Sequence, residues 1–348
     1  MTEAFRIPHE RLREIATRLL EALGAPPEKA ALVADSLVAA NLRGVDSHGV
    51  HLLSYYAEHL RRGLIDPGAD GRVVSESGAC LLFDGEHAFG QWVSAQCCDH
   101  AARLAREHGL GMAVARDSNH FGAAAYWGQR ISRHGMIAMV MSNASPSVPP
   151  WQGREGRIGT NPMCVCLPTT GRGAWLLDMA TTTVAKNRIL RAEANNEPSI
   201  PPGWAMDEEG VPTTVTKKAK LLMPLGGYKG SGLGLLCEIL SGVLGGGAIG
   251  LALGGTYLFD RPMRTSHMFL AIDVGRFLPL EEFQRRMEKL VAEVKSSAPA
   301  RGYDEVLVAG EPEQRIEEER LRKGVPVDPG TWEALERLAG ETGVELEP

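Results

Sequence analysis

Between residues 89 and 141 the chain alternates between two apolar periods, and this rhythm restricts its fold more than any other feature of its 348 residues. Residues 89–108 carry apolar side chains at helical spacing and close on Gly109. Residues 112–115 form a short apolar run, 123–133 return to helical spacing and stop at His134-Gly135, and 136–141 form a second apolar run. A strand–helix–strand succession brings the chain back to the same sheet, so the pattern predicts an α/β fold with at least one parallel strand pair covered by helices. Further strands are expected at 163–167, 174–179 and 267–273, with helices at 231–244, 280–296, 312–322 and 330–340. The first 65 residues read as helical: Pro26-Pro27 opens a helix that reaches Arg43-Gly44, and another covers 52–64 before the Asp66-Pro67-Gly68 cluster.

Composition excludes several classes. With 37 basic against 43 acidic residues the net charge is −6, which argues against a basic nucleic-acid surface. Six cysteines in a chain this long form neither a disulfide framework nor C-x-x-C knuckles, and no His/Asp/Glu spacing suggests a metal. The first ten residues lack the apolar core of a signal peptide, and residues 239–259 carry no charge but include seven glycines. That stretch is read as a buried helix and a Gly-rich turn rather than a membrane span. A cytoplasmic protein is expected.

Candidate chemistry clusters in loops. No G-x-G-x-x-G turn leads from an expected strand into a helix, so a Rossmann fingerprint is disfavoured. Walker and G-x-S-x-G spacings are absent. A different loop, Gly226-Gly227-Tyr228-Lys229-Gly230-Ser231-Gly232, precedes an apolar helix and suits an anion, unless it is only a close-packed turn with Lys229 in solvent. Asp46-Ser47-His48-Gly49 joins two helices and places a titratable ring beside a hydroxyl. Asp117-Ser118-Asn119-His120-Phe121-Gly122 and Ser142-Asn143-Ala144-Ser145-Pro146 both follow strands, where α/β proteins bind ligands. Gly159-Thr160-Asn161-Pro162 and Asp178-Met179-Ala180-Thr181-Thr182-Thr183 add hydroxyl, amide and acid groups, which serve equally well as turn and cap chemistry.

Together with the run from Asn41 to Val50 and Pro224 to Leu233, these segments resemble the type-2 malate/L-lactate dehydrogenase family over nearly the whole chain. The resemblance implies a non-Rossmann α/β fold: a large mixed sheet binding NAD or NADP at 86–309, with a smaller subdomain around 120–180, and a helical part formed by residues 1–85 and 310–348. It implies a homodimer, and a small 2-hydroxy or 2-oxo acid as substrate. It implies His48, with Ser47 beside it, as the general acid/base, and His120 as a cofactor contact and rival proton carrier. Asp178 joins this catalytic group. Cofactor contacts are implied at Ser142, Asn143, Ser145, Asp178, Met179, Ala180, Thr181, Thr182, Lys229, Gly230, Gly310, Glu311 and Pro312, and substrate contacts at His48, Thr160 and Asn161.

Two departures bear on the substrate. Where many members carry an Arg shortly after Ser-His-Gly, this chain reads His51-Leu52-Leu53, which leaves the carboxylate to another Arg or to Asn161. Where a glycine usually precedes the basic residue after Asp178, it reads Val184-Ala185-Lys186-Asn187-Arg188. Reduction of a cyclic imine carboxylate, a ureidoglycolate-type oxidation, and a nucleotide-binding module without redox chemistry are the competing readings.

Overall fold

The structure is a computed structural model that describes residues 5–169 and 175–346. It opens with β1 (Phe5–Ile7), α1 (His9–Ala22) and α2 (Pro27–Leu42). In α1, Leu12, Ile15, Ala16, Leu19 and Leu20 recur at helical spacing and are all buried. Pro27 occupies the first turn of α2, where its missing N–H costs nothing. Two 3₁₀ turns, Asp46–His48 and Val50–Leu52, lead into α3 (Leu53–Arg61).

There follow β2 (Arg72–Ser77), β3 (Cys80–Asp84), α4 (Gly90–His108), β4 (Leu110–Ser118), α5 (Ala124–Ser132), β5 (Met136–Ser142), β6 (Met163–Cys166) and β7 (Leu176–Met179). Residue 174, where the sequence opens the last of these strands, lies outside the described residues. Then come α6 (Lys186–Ala194), β8 (Ala205–Met206), β9 (Pro212–Thr213), β10 (Leu221–Leu222), α7 (Tyr228–Glu238), β11 (Thr265–Asp273), α8 (Leu280–Lys295), α9 (Glu311–Lys323), β12 (Val325–Val327) and α10 (Pro329–Thr342).

Seven strands form the main sheet in the order β2-β3-β4-β11-β5-β6-β7. Its one parallel pair is β3–β4, joined through α4. The expected parallel pair is thus present, but it is not formed by the strands at 112–115 and 136–141: β11 lies between them, antiparallel to both, with Phe269 opposite Ala113 on one side and Val140 on the other. Periodicity identified the strands and the crossing helix but carries no information on a third strand inserted from far along the chain. The β2–β3 hairpin and α6 were not anticipated either. Every residue of β2 is exposed, so it shows no apolar alternation.

Helices α4 and α5 cover one face, where Ala101, Ala105, Trp127 and Ile131 pack on Ala113, Ala138, Val140 and Phe269. The other face buries Val114, Met141 and Met268 against Cys237 of α7. Burying a ring such as Trp127 or Phe269 contributes about 1.5–3 kcal/mol. Both ends of the chain meet in a second core: β1 pairs with β12, and Leu12, Leu37 and Tyr56 share a cluster with Val325, Leu335 and Leu338. A third, small cluster unites Val148, Ile158, Ile189 and Leu222. That cluster draws on residues 148–222, while β5 and β6 are strands of the main sheet and α5 packs against it.

The charge-free stretch continues α7 through a π turn at Ile239–Val243 and then breaks up into loops. Among the described residues, no helix is long and apolar enough to cross a membrane.

Candidate active site

The Asp46-Ser47-His48-Gly49 loop is held from behind. Asp46 accepts from Asn41 Nδ2 at 2.7 Å and from both terminal nitrogens of Arg320, on α9, at 2.6 and 3.0 Å. Asn41 Oδ1 in turn accepts the Val50 N–H at 2.9 Å. A Cβ on Gly49 would stand 2.2 Å from that same Oδ1, so only glycine fits there. Ser47 Oγ lies 3.0 Å from His48 Nδ1.

His120 sits in the loop between β4 and α5, stacked on His48 with ring centroids 5.6 Å apart. Its Nδ1 is 2.7 Å from the hydroxyl of Tyr56, which accepts from Gln91 Nε2 at 3.1 Å. Tyr56 and Gln91 are both fully buried, so this chain orients the ring from the protein interior. The loop itself is pinned by Asn119 Nδ2, which donates to the carbonyls of His87 and Ala88 at 2.7 and 2.9 Å. Beneath it, the buried ring of His267 stacks on Phe121 at 4.5 Å and has Nε2 3.1 Å from the Asn119 carbonyl. A carbonyl can only accept, so Nε2 carries the proton, and Nδ1 receives from the Ser142 hydroxyl at 2.8 Å.

Burial keeps these rings neutral. It lowers His48 to about 4, with His51 adding to the effect, and His267 to about 3. His120 is lowered well below its ordinary value, first by burial and then by His48. Asp178 moves the other way: burial raises it to about 6, against the pull of the Ala125 N–H that it accepts at 2.9 Å and of Arg43.

The expected pH dependence of stability follows from these directions. Below about pH 6.5 the unfolded chain takes up protons that the folded histidines refuse, so folding stability is lost as pH falls from 6.5 towards 4. Each such histidine contributes about 1.4 kcal/mol per pH unit in that window. Asp178 acts oppositely between pH 3.8 and about 6, but is one group against His48, His120 and His267. Thermal midpoints should decline steadily from pH 7 to 4.5, and a flat profile would show that these rings titrate normally.

A cleft of about 810 Å³ opens beside the two histidines. Among the residues singled out from sequence, Ser47, His48, His120, Ser145, Thr160, Asp178, Met179, Ala180, Gly310 and Pro312 line it. Several others face elsewhere. Asn161 is fully buried: Oδ1 accepts the Ala144 N–H at 2.9 Å, and Nδ2 donates to the Gly234 carbonyl and to Glu238 Oε2 at 2.9 and 2.8 Å. Asn143 donates to the Ala248 carbonyl at 3.0 Å and accepts the Ser266 N–H at 2.7 Å, and Ser142 bonds His267. Thr181 and Thr182 donate to the Thr160 and Val184 carbonyls.

Glu311 is committed to Lys295 at 2.6 and 2.7 Å. Lys229 is exposed over the Tyr228 ring, and the Gly230 N–H bonds the Leu225 carbonyl, away from the cleft. The amides and hydroxyls among these residues are engaged within the chain, as turn-forming side chains commonly are. The G-x-G-x-x-G spacing does occur once, at Gly245, Gly247 and Gly250. It follows a helix instead of a strand, and Gly247 is there because a Cβ would strike Ser266 Oγ at 2.3 Å.

Residues that sequence reasoning missed complete the site. Arg43, Lys186, Asn187 and Tyr257 line the cleft, while Tyr56, Gln91 and His267 stand behind it. Buried Glu238 gathers the strand-end loops, accepting from Asn143, Asn161 and the Gly250 N–H. These partners are far apart along the chain, and no local spacing announces them.

A family model described as malate/L-lactate dehydrogenase matches residues 7–336. The malate dehydrogenase of Pyrococcus horikoshii is 36% identical over 98% of this chain and 96% of its own length. The L-sulfolactate dehydrogenase of Methanocaldococcus jannaschii is 34% identical, covering 97% of both. The solved structure of the Pyrococcus horikoshii malate dehydrogenase superposes with a TM-score of 0.91 at 35% identity, over 99% of this chain and 97% of that one.

Proposed function

Since the chain belongs to the malate/L-lactate dehydrogenase family, we propose that its cleft passes a hydride between a nicotinamide cofactor, NAD or NADP, and C2 of a small 2-hydroxy acid. The observation that carries this reading is the pair of stacked histidines at the cleft wall, one of them oriented by a buried hydrogen-bond chain. Strand order supports a nucleotide-binding fold outside the doubly wound class, since only β3 and β4 run parallel. The two large cores support a division into a helical part built from both chain ends and a sheet domain, with β2 and β3 and the core residues Leu81 and Phe83 on the sheet side, so that the boundary falls before Arg72 instead of at 85.

The residues present fit such a cofactor. The cleft has the size of a cofactor site, and Gly122 to Ala125, Ala180 and Ala309-Gly310 offer it only small side chains. Asp178, Met179, Ala180, Gly310 and Pro312 would hold the group, with Ser145 across the cleft. When bound, the nicotinamide supplies the hydride acceptor for oxidation.

The proton is the protein's task, and of the two rings His120 is better built for it than His48. Its Nδ1 has a fixed partner in Tyr56, whose oxygen can accept from a protonated Nδ1, and its Nε2 has no partner among the described residues. His48 has only its neighbour Ser47. A neutral His120 is ready to accept the hydroxyl proton, and stacked His48 disfavours keeping it. Asp178 shapes the wall through Ala125.

A row of exposed apolar residues, Leu235, Leu236, Ile239, Val243 and Leu244, supports a homodimer, since a monomer rarely leaves such a face open. A monomeric mass in sedimentation equilibrium would remove that part. The activity is tested by a panel of oxo acids with each reduced cofactor in turn: oxidation of NADH or NADPH that depends on an oxo acid is expected, and none with any acid would overturn the reading.

A further inference from the structure

We propose that a bulge near the end of β4, held left-handed at Asp117 by Arg264, sets the direction of the loop that carries His120, which makes Asp117 and Arg264 positioning residues of the reaction. This rests on the dehydrogenase reading above but concerns two residues that do not line the cleft. Two steps along β11 lead from His267 to Thr265, whereas three along β4 lead between their partners, from Ala115 to Ser118. The extra residue on β4 shifts the alternation of its side chains by one. Ala115 lies on the face covered by α4 and α5, and the bulge returns Ser118 to that face, where its Oγ is 3.0 Å from His267 Nε2. With regular alternation Ser118 would face the opposite side, and Asn119 and His120 would leave the strand turned away from their seat on His267.

A left-handed residue in a bulge is normally glycine, which bears no side chain to clash. Here it is Asp117, at φ 47°, and its surroundings hold it there. Arg264 Nε donates to Asp117 Oδ1 at 2.7 Å, and Arg264 is itself left-handed at φ 54°, directly before β11. On the other side the turn after β3 follows the bulge: the Gly85 N–H bonds the Arg116 carbonyl at 2.8 Å, and the His87 N–H bonds the Asp117 carbonyl at 2.9 Å. Glu86 and His87 are left-handed too, at φ 48° and 60°, so four of the seven non-glycine residues with positive φ among the described residues meet here. The Asn119 side chain, bound to the His87 and Ala88 carbonyls, joins this turn to the His120 loop. Backbone strain of this kind persists only where the structure around it over-determines it, and it collects beside functional groups. Aspartate and asparagine tolerate left-handed backbone, and alanine does so poorly.

The test measures kcat and the cofactor KM, with an oxo acid that the wild-type protein reduces, in Asp117→Ala, Asp117→Gly and Asp117→Asn. Alanine disfavours the bulge, so Asp117→Ala should lower kcat about tenfold and leave the cofactor KM within about twofold of wild type. Glycine and asparagine accept it, so Asp117→Gly and Asp117→Asn should lose less than about threefold. A surface acid without this role would give three values close to wild type, and a carboxylate acting on His120 by its charge would give three equal losses. Either result would overturn the proposal and leave the dehydrogenase reading standing. Arg264→Met serves if Asp117→Ala does not fold: it should lower kcat about three- to tenfold, and adding Asp117→Gly should restore most of that loss. Failure of glycine to restore it would count equally against the proposal. A wild-type protein that reduces no oxo acid would overturn both.

Discussion

Replacing His120 with alanine is expected to lower kcat about 10²–10⁴-fold, the usual cost of losing a positioned general acid/base, with little change in cofactor affinity. The argument is one of orientation. A proton carrier must hold one nitrogen towards the substrate in every protonation state, and the Gln91–Tyr56 chain engages the other nitrogen of His120 from a fully buried position. His48→Ala should cost less, because its ring is supported only within its own loop. Tyr56→Phe tests the same chain without removing the ring: it should lower kcat, leave the cofactor KM in place and shift the limb of the pH–rate profile that belongs to the histidine. If His48→Ala proves the more damaging of the two alanine variants, the roles are reversed, as the family resemblance implies.

Glu238→Ala should destabilise the protein by about 1–3 kcal/mol, the cost of leaving one donor, the Gly250 N–H, without a partner. The carboxyl group receives the Gly250 N–H at 3.0 Å and Asn161 Nδ2 at 2.8 Å, with Asn143 Nδ2 at 3.4 Å. The two asparagines keep other acceptors, but the Gly250 amide has none. The same variant should also impair activity, because the loops it fastens carry Ala144, Ser145 and Thr160 to the cleft. Glu238→Gln retains one acceptor oxygen and should lose less. A thermal midpoint for Glu238→Ala within about 2 °C of wild type would contradict this account.

What could be read from the chain was whatever has a local period or a local breaker. The helices of α2, α4, α8 and α10 show their apolar stripes, and the loops after β4 and β5 announce themselves by Asn, Ser and His beside strand ends. The site was legible as a set of motifs but not as a set of roles. Asn143 and Asn161 look like ligand contacts in sequence because amides serve both purposes; buried Glu238 accepts from both, and it stands at the border of a charge-free run where nothing marks it. Lys229 looks like an anion ligand because it follows glycines, yet this loop turns outward. Tyr56, Gln91 and Asn187 were invisible, since each acquires meaning only through a partner tens of residues away.

The insertion of β11 between β4 and β5 has a consequence for synthesis. While the chain emerges from the ribosome, β4 and β5 are complete long before Thr265–Asp273 exists, and each must wait with one unpaired edge. The centre of the sheet is thus among the last parts of the main domain to close. His267, which seats the His120 loop, arrives on that same late strand, so this wall of the cleft cannot take its final shape until the sheet itself is sealed.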